Sequence, residues 1–290
     1  MPRGGSTAAN IAAMRRYQLH VGHNRRSRAP RETTRNVSCV ERNPVLRIAA
    51  AIVEASPRPS ILIKQFAVTL LGPYFYQPTG AECEEYHKWY FNTGVWKKTT
   101  WMGVECLKWV GDMWNYQEIL FQLKPSLVIE FGSWRGGSAL FFASVMRQIG
   151  EPFKVMSVDA YHGRLDPAVR RDSDILFVES RSTVPAVAEH IKRLKIEFPG
   201  KIFAILDSDH SMNHVVAEMK LLRPLLSAGD YLVVEDSMLN GHPVFPGWGP
   251  GPYEAIEAYE REFPTDYTHD VERENKFGWT FAPNGFLIRN

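Results

Sequence analysis

The sequence predicts an α/β protein built on a doubly wound, mainly parallel sheet. Three observations carry this prediction. From residue 112 onward, short apolar runs alternate with stretches of helical periodicity. The runs are apolar at successive positions, as strands covered on both faces must be, and nearly every run ends in an acid. With 290 residues, 44% hydrophobic and 23% charged, the chain is long enough for one domain of ~200 residues plus an extension.

The elements follow in order. Asp112 stands as N-cap to a helix over 112–123, with Met113, Tyr116, Ile119, Leu120 and Leu123 at helical spacing. SLVIEFG (126–132) reads as a strand ended by glycine, and SALFFASVMRQIG (138–150) as a helix closed by Gly150. Strands are expected at 154–159 and 175–180, then a helix at 184–198, a strand at 202–207, a helix at 213–226, a strand at 231–236 and a helix at 252–263. KFGWTFA (276–282) and GFLIRN (285–290), joined through Pro283-Asn284-Gly285, read as a closing antiparallel hairpin.

Upstream the character changes. Residues 1–48 hold ten arginines, no lysine and two glutamates, giving +8 and leaving −6 for the rest of a chain whose net charge is +2. This stretch has no apolar periodicity, so residues 1–44 read as a basic disordered tail. Residues 45–111 form a helical and aromatic region, a cap or membrane-interface segment. Within it, 45–76 is apolar but interrupted by Arg47, Glu54, Arg58 and Lys64 and broken by prolines, which excludes a spanning helix and favours two short amphipathic ones. Residues 112–290 are expected to form the regular α/β domain. Three cysteines (Cys39, Cys83, Cys106) give neither a disulfide framework nor zinc spacing, consistent with a reducing, cytoplasmic compartment, and the start lacks the apolar core of a secretory signal.

In an open α/β sheet, ligands sit beyond the carboxyl ends of the strands. There the sequence places Glu130, Asp159, Glu179, Asp207 with Asp209, and Glu235 with Asp236. Any one of these suits a cap or a salt bridge; five strand ends on one rim suit a site. The turn Glu130-Phe-Gly-Ser-Trp-Arg-Gly-Gly-Ser138 matches neither a Walker A loop nor GxGxxG, yet Gly132 permits the turn, and Gly136 and Gly137 allow close backbone approach at a helix start. Asp159 suits a ribose diol, so the two ends describe an adenosine pocket without a pyrophosphate cradle. Asp207, Asp209, Glu235 and Asp236 gather like charge that calls for a hard divalent cation, Mg²⁺ first, with His210 and His242 as candidate bases.

The Glu130–Ser138 turn resembles the S-adenosylmethionine loop of metal-dependent O-methyltransferases, with Trp134 where the catechol enzymes carry an aromatic residue. EYHKWYFNTGVWKKTTWMG (85–103), MWNYQEIL (113–120), LDSDHSMNHVVAEM (206–219), VVEDSMLNGHPV (233–244) and GPGPYEAIEAY (249–259) resemble the rhamnosyl O-methyltransferase and cephalosporin hydroxylase family over roughly residues 72–290. The C-terminal ENKFGWTFAPNGFLIRN is similar to rhamnosyl 2-O-methyltransferases of phenolic glycolipids. The resemblance implies a class I S-adenosylmethionine-dependent methyltransferase fold, Rossmann-like with a C-terminal antiparallel hairpin. It implies that Glu130, Gly132, Trp134, Gly136, Gly137, Ser138, Asp159 and Asp207 face the methyl donor and that Glu235 and Asp236 bind metal. The third ligand stays open between Asp207 and Asp209, and the base between His210 and His242.

The expected reaction is Mg²⁺-dependent methyl transfer from S-adenosylmethionine to a sugar hydroxyl, on the rhamnose of a cell-envelope glycolipid. The expected partners are a glycolipid or small glycoside acceptor, a membrane surface met through 45–76 at its inner face, and, by resemblance alone, further copies of the chain; no specific nucleic acid is expected. Two rivals stand beside this reading: a hydroxylase of a small natural product, and a non-catalytic nucleic-acid or lipid binder on a degenerate methyltransferase fold. Arg135 inside the glycine turn and the basic tail have no counterpart in the resemblance.

Overall fold

The computed structural model describes residues 80–290. The basic tail of 1–44 and the apolar stretch of 45–76 lie outside the described residues. The described chain opens with helix α1 (Ala81–Thr93) and two short antiparallel strands, β1 (Thr100–Trp101) and β2 (Val104–Glu105). There follow α2 (Val110–Leu123), β3 (Leu127–Phe131), α3 (Gly137–Ile149), β4 (Lys154–Asp159), β5 (Ile175–Glu179), α4 (Pro185–Glu197), β6 (Ile202–Leu206) and α5 (Met212–Leu222). The chain continues through β7 (Tyr231–Val234), α6 (Pro252–Glu262), β8 (Tyr267–His269), α7 (Val271–Asn275) and β9 (Phe286–Arg289).

Seven of these strands form one sheet in the order β5-β4-β3-β6-β7-β9-β8. The first five are mutually parallel, while β9 runs antiparallel to both β7 and β8. Alternation along the strands divides the core into two layers. Leu127, Ile129 and Phe131 face α4, α5 and α6 through Ile191, Met219 and Ile256. Val128, Phe203, Ile205 and Val233 face α2 and α3 through Tyr116, Leu120, Phe142 and Met146. The chain reverses direction across the sheet between β3 and β6, so the crevice between their carboxyl ends is where a ligand site is built.

Three local expectations differ from the structure. Asp112 does not cap its helix: α2 starts at Val110, and the buried Asp112 carboxylate accepts from Thr280 Oγ1 at 2.6 Å and Phe281 N at 2.9 Å. That capture accounts for the second difference. The sheet does close with antiparallel strands, but 276–282 is not one of them; β9 pairs with β8 instead. Gly278 takes φ +80°, and Trp279 and Phe281 turn into a third aromatic cluster with Tyr90, Trp109 and Leu239, tying α1 to the loops after β7. The helix expected over 213–226 ends at Leu222, two residues before Pro224, which has no N–H to continue the helical ladder.

Candidate active site

The turn after β3 is shaped by close packing within the protein. Gly132 has φ +107°, and a Cβ there would lie 2.0 Å from the Asp207 carbonyl, so only glycine brings this turn against the end of β6. At Gly137 a Cβ would lie 2.2 Å from the Glu105 carbonyl, so β2 seats directly on the start of α3. Gly136 is likewise crowded, by Val169 at 2.7 Å. Sequence reasoning reserved Gly136 and Gly137 for a ligand's approach; protein backbone and side chains already use that closeness.

The carboxylate of Asp159 holds the turn from the neighbouring strand. Its Oδ2 accepts the N–H groups of Ser133 and Trp134, each at 3.1 Å, and its Oδ1 that of Tyr161 at 3.0 Å. A carboxylate offers about four lone-pair sites, so capacity for a diol hydroxyl is left over. Trp134, at φ +46°, donates its indole N–H to Glu105 and lies under the Arg164 guanidinium at 4.5 Å. Glu130 is fully buried and accepts from Ser157 Oγ, which lies 2.7 Å from Ser133 Oγ. Burial pushes the Glu130 carboxyl up to about 7, against the pull of Lys108. Ser138 is buried in the first turn of α3.

A second set of groups stands on the ends of β6 and β7. Asp207, His210 and Asp236 each offer one ligand atom within 4.8 Å of the others, and His210 Nε2 is 3.2 Å from Asp236 Oδ2. Asp236 reaches this position through a left-handed backbone, φ +56°, which a residue other than glycine adopts at a cost of about 1 kcal/mol or more. Beneath the cluster lies Lys108, 3% exposed, with its Nζ 2.5 Å from Asp207 Oδ2 and 3.2 Å from Glu235 Oε1. Burial alone would lower the lysine's pKa, but Asp207, Glu235 and Glu130 outweigh it and hold the ammonium charged. Glu235 also accepts from Tyr116 Oη, and burial pushes its carboxyl up to about 7.

The structure therefore brings together three of the expected groups and sets three apart. Asp207, His210 and Asp236 converge. Glu235 lies one layer deeper, on Lys108 and Tyr116. Asp209 turns back, its Oδ1 accepting the Ser211 N–H at 2.9 Å ahead of α5. His242 lies on Glu254, 3.1 Å away, with its ring stacked on Tyr253 at 3.9 Å. Asp207 and Asp236 offer carboxylate oxygens to a cation beside the His210 imidazole, and with Glu235 the carboxylates outnumber the single ammonium, so a hard divalent cation fits by charge and chemistry.

Sequence reasoning missed Lys108, a lone lysine between Leu107 and Trp109 with no spacing to mark it. It also missed Glu218. That fully buried carboxylate accepts from Ser208 Oγ and Ser182 Oγ, each at 2.5 Å, and lies 3.1 Å from His214 Nε2, clamping the turn that carries Asp207. The only signal was Glu218 one helical turn after His214 on α5.

Comparison with known proteins adds three findings. The family model described as "Rhamnosyl O-methyltransferase/CmcI" matches residues 93–290. A protein named "Rhamnosyl O-methyltransferase" from Mycobacterium tuberculosis (strain ATCC 25618 / H37Rv) is 72% identical over 229 residues, covering 79% of this chain and 92% of its own length. Its namesake from Mycobacterium leprae (strain TN) is 73% identical over 214 residues, covering 74% and 93%. Among solved structures, "cmcI-D160 Mg-SAM" is similar with a TM-score of 0.55 and 21% identity, over 67% of this chain and 77% of that one. "CmcI-N160 apo-structure" gives 0.54 and 22%, over 67% and 76%. At such identities the structural likeness speaks for the fold alone.

Proposed function

The chain belongs to the rhamnosyl O-methyltransferase/CmcI family, and from that premise we propose that it methylates a rhamnose hydroxyl of a cell-envelope glycolipid, with S-adenosylmethionine as donor and Mg²⁺ or another hard divalent cation at the rim. One observation carries the reading. The glycine turn expected to hold the donor is packed against the backbone of Asp207, a member of the convergent cluster, so a donor at the turn and an acceptor at the cluster would be neighbours. The relatives' printed names supply the rhamnosyl acceptor. The glycolipid, and a place at the inner membrane face, are supported by the C-terminal resemblance and the apolar stretch of 45–76.

In this reading each residue has a task. Asp159 fixes the turn and offers its remaining lone pairs to the donor's ribose hydroxyls. Asp207 and Asp236 would hold the cation, which supplies Lewis acidity that lowers the acceptor hydroxyl's pKa. His210 takes the hydroxyl proton, and Asp236, 3.2 Å from its Nε2, orients the ring and stabilises the imidazolium that forms. The oxygen forms its bond to the donor methyl carbon as the carbon–sulfur bond breaks, and sulfur keeps the electron pair. Geometry favours His210 over His242 as the base, because His242 is committed to Glu254 and Tyr253. Lys108 pairs with both Asp207 and Glu235 beneath the cluster.

The test supplies labelled S-adenosylmethionine with a rhamnosylated phenolic glycolipid and with its de-rhamnosylated counterpart. Label should enter the first alone. Exhaustive chelation should abolish turnover while calorimetric donor binding persists, because the donor groups belong to β3 and β4. Full turnover after chelation, with residual metal excluded by elemental analysis, overturns the cation's role; label in both lipids overturns the acceptor.

A further inference from the structure

A second concavity lies between α1 and the segment 274–283. It is a cavity of about 280 Å³ whose polar lining includes Glu84, His87, His242, Glu274, Asn275 and Thr280. Its outer edge reaches solvent at Glu84, whose side chain is 54% exposed. The inner wall holds the feature that packing does not explain. His87 is 2% exposed, its ring stacks on Trp279 with centroids 4.3 Å apart, and its Nε2 has no hydrogen-bond partner among the described residues. An unpaired buried polar atom costs on the order of 1–3 kcal/mol, which a phenylalanine here would avoid while keeping the stack. The nitrogen calls for a ligand group.

The lining narrows what that ligand is. No lysine or arginine lines the cavity, whereas two glutamates do, so an anion is repelled. A divalent ion is not matched either: among the described residues, the metal-competent grouping of three or more ligands is Asp207, His210 and Asp236. An apolar ligand would leave His87 unpaired and strip water from Glu274 and Asn275. A neutral polyol meets every group, because each hydroxyl donates to a carboxylate and accepts from an imidazole or amide N–H. The volume lies near the lower end of the ~300–1,000 Å³ range of small-molecule sites, room for one ring.

Hydrogen bonds and a shared loop connect the cavity's lining to the rim. Thr280 donates to Asp112 on α2, the helix whose Tyr116 grips Glu235, and His242 lies on the loop that leaves Asp236. Ser237, next to Asp236, donates to the Pro283 carbonyl at 2.5 Å.

We propose that this cavity is a carbohydrate subsite holding a neutral sugar ring of the acceptor next to the ring that is methylated. The role as an acceptor subsite rests on the rhamnosyl O-methyltransferase reading. His87 Nε2 and Asn275 meet ring hydroxyl oxygens, and Glu84 and Glu274 accept from the hydroxyl protons.

The experiment compares methyl rhamnoside with the methyl glycoside of a rhamnosyl disaccharide on the full chain. The wild type should show a KM about tenfold lower for the disaccharide. His87→Phe, which keeps the stacked ring and removes the nitrogen, should erase that preference, as should the double variant Glu274→Gln with Asn275→Ala, should His87→Phe fail to fold. Equal KM values for the two glycosides in the wild type, or a preference that survives in a folded variant, overturns the subsite. If neither glycoside is methylated, the activity reading fails, and saturation-transfer NMR with the disaccharide decides the cavity alone. Transfer that is lost in the variants supports it, and transfer that is absent from the wild type or unchanged in the variants overturns it.

Discussion

At the scale of single residues, the rim is an arrangement of carboxylates around one buried ammonium. Lys108→Met removes that charge without removing its volume and leaves Asp207 and Glu235 facing each other. Breaking a buried ion pair from one side costs about 3–5 kcal/mol, so denaturant unfolding should show a loss of that order. Added Mg²⁺ should raise the melting temperature of the variant more than that of the wild type, because a cation can take over the neutralisation; equal shifts would contradict the placement of the ammonium at the rim. A second contrast separates two glycines. Gly137→Ala drives a methyl group to 2.2 Å from the Glu105 carbonyl and should destabilise by about 1–3 kcal/mol through displaced backbone. Gly150→Ala meets nothing within 4 Å and carries only its φ of +82°, so it should cost about 1 kcal/mol. Chemical denaturation of the pair reads the difference.

At the scale of elements, α1 is docked by His87, and its docking depends on pH. Burial lowers the His87 pKa to about 4 against 6.5 for a free histidine, with Glu84 pulling it up and Lys88 down on the same helix. The ring faces the neutral Trp279 and Phe281, with Glu274 and His242 across the cavity. The unfolded chain therefore takes up the proton first as pH falls. The stabilisation is whole above about 6.5 and drains away toward 4, and thermal melts across that window should fall less steeply in His87→Phe. The same region shows what was legible. Strand ends were readable because nearly every apolar run stops at an acid. The segment 276–282 misled because Phe277, Trp279 and Phe281 alternate as strand residues do, while its fate was set by Asp112, more than 150 residues earlier in the chain. Lys108 was invisible for the same reason: its partners lie on β6 and β7, and no local spacing encodes a contact made across the fold.

At the scale of the whole molecule, residues 1–40 carry most of the arginine excess and no apolar periodicity with which to pack against a core. Removal of residues 1–40 should therefore leave the cooperative calorimetric transition and donor binding in place; loss of the transition would make those residues structural. The position of β9 has a further consequence for the order of events at birth. β8 leaves the ribosome before the strand it pairs with, and β9, although made later, is inserted between β8 and β7. The loop carrying Asp236 is likewise secured from downstream, by Gly285 O on Val234 N and by Pro283 O on Ser237. A nascent chain can thus lay down β3 through β7 and the glycine turn while its reactive rim is still unfastened, and it is translation of the last stretch that converts a folded platform into an assembled site.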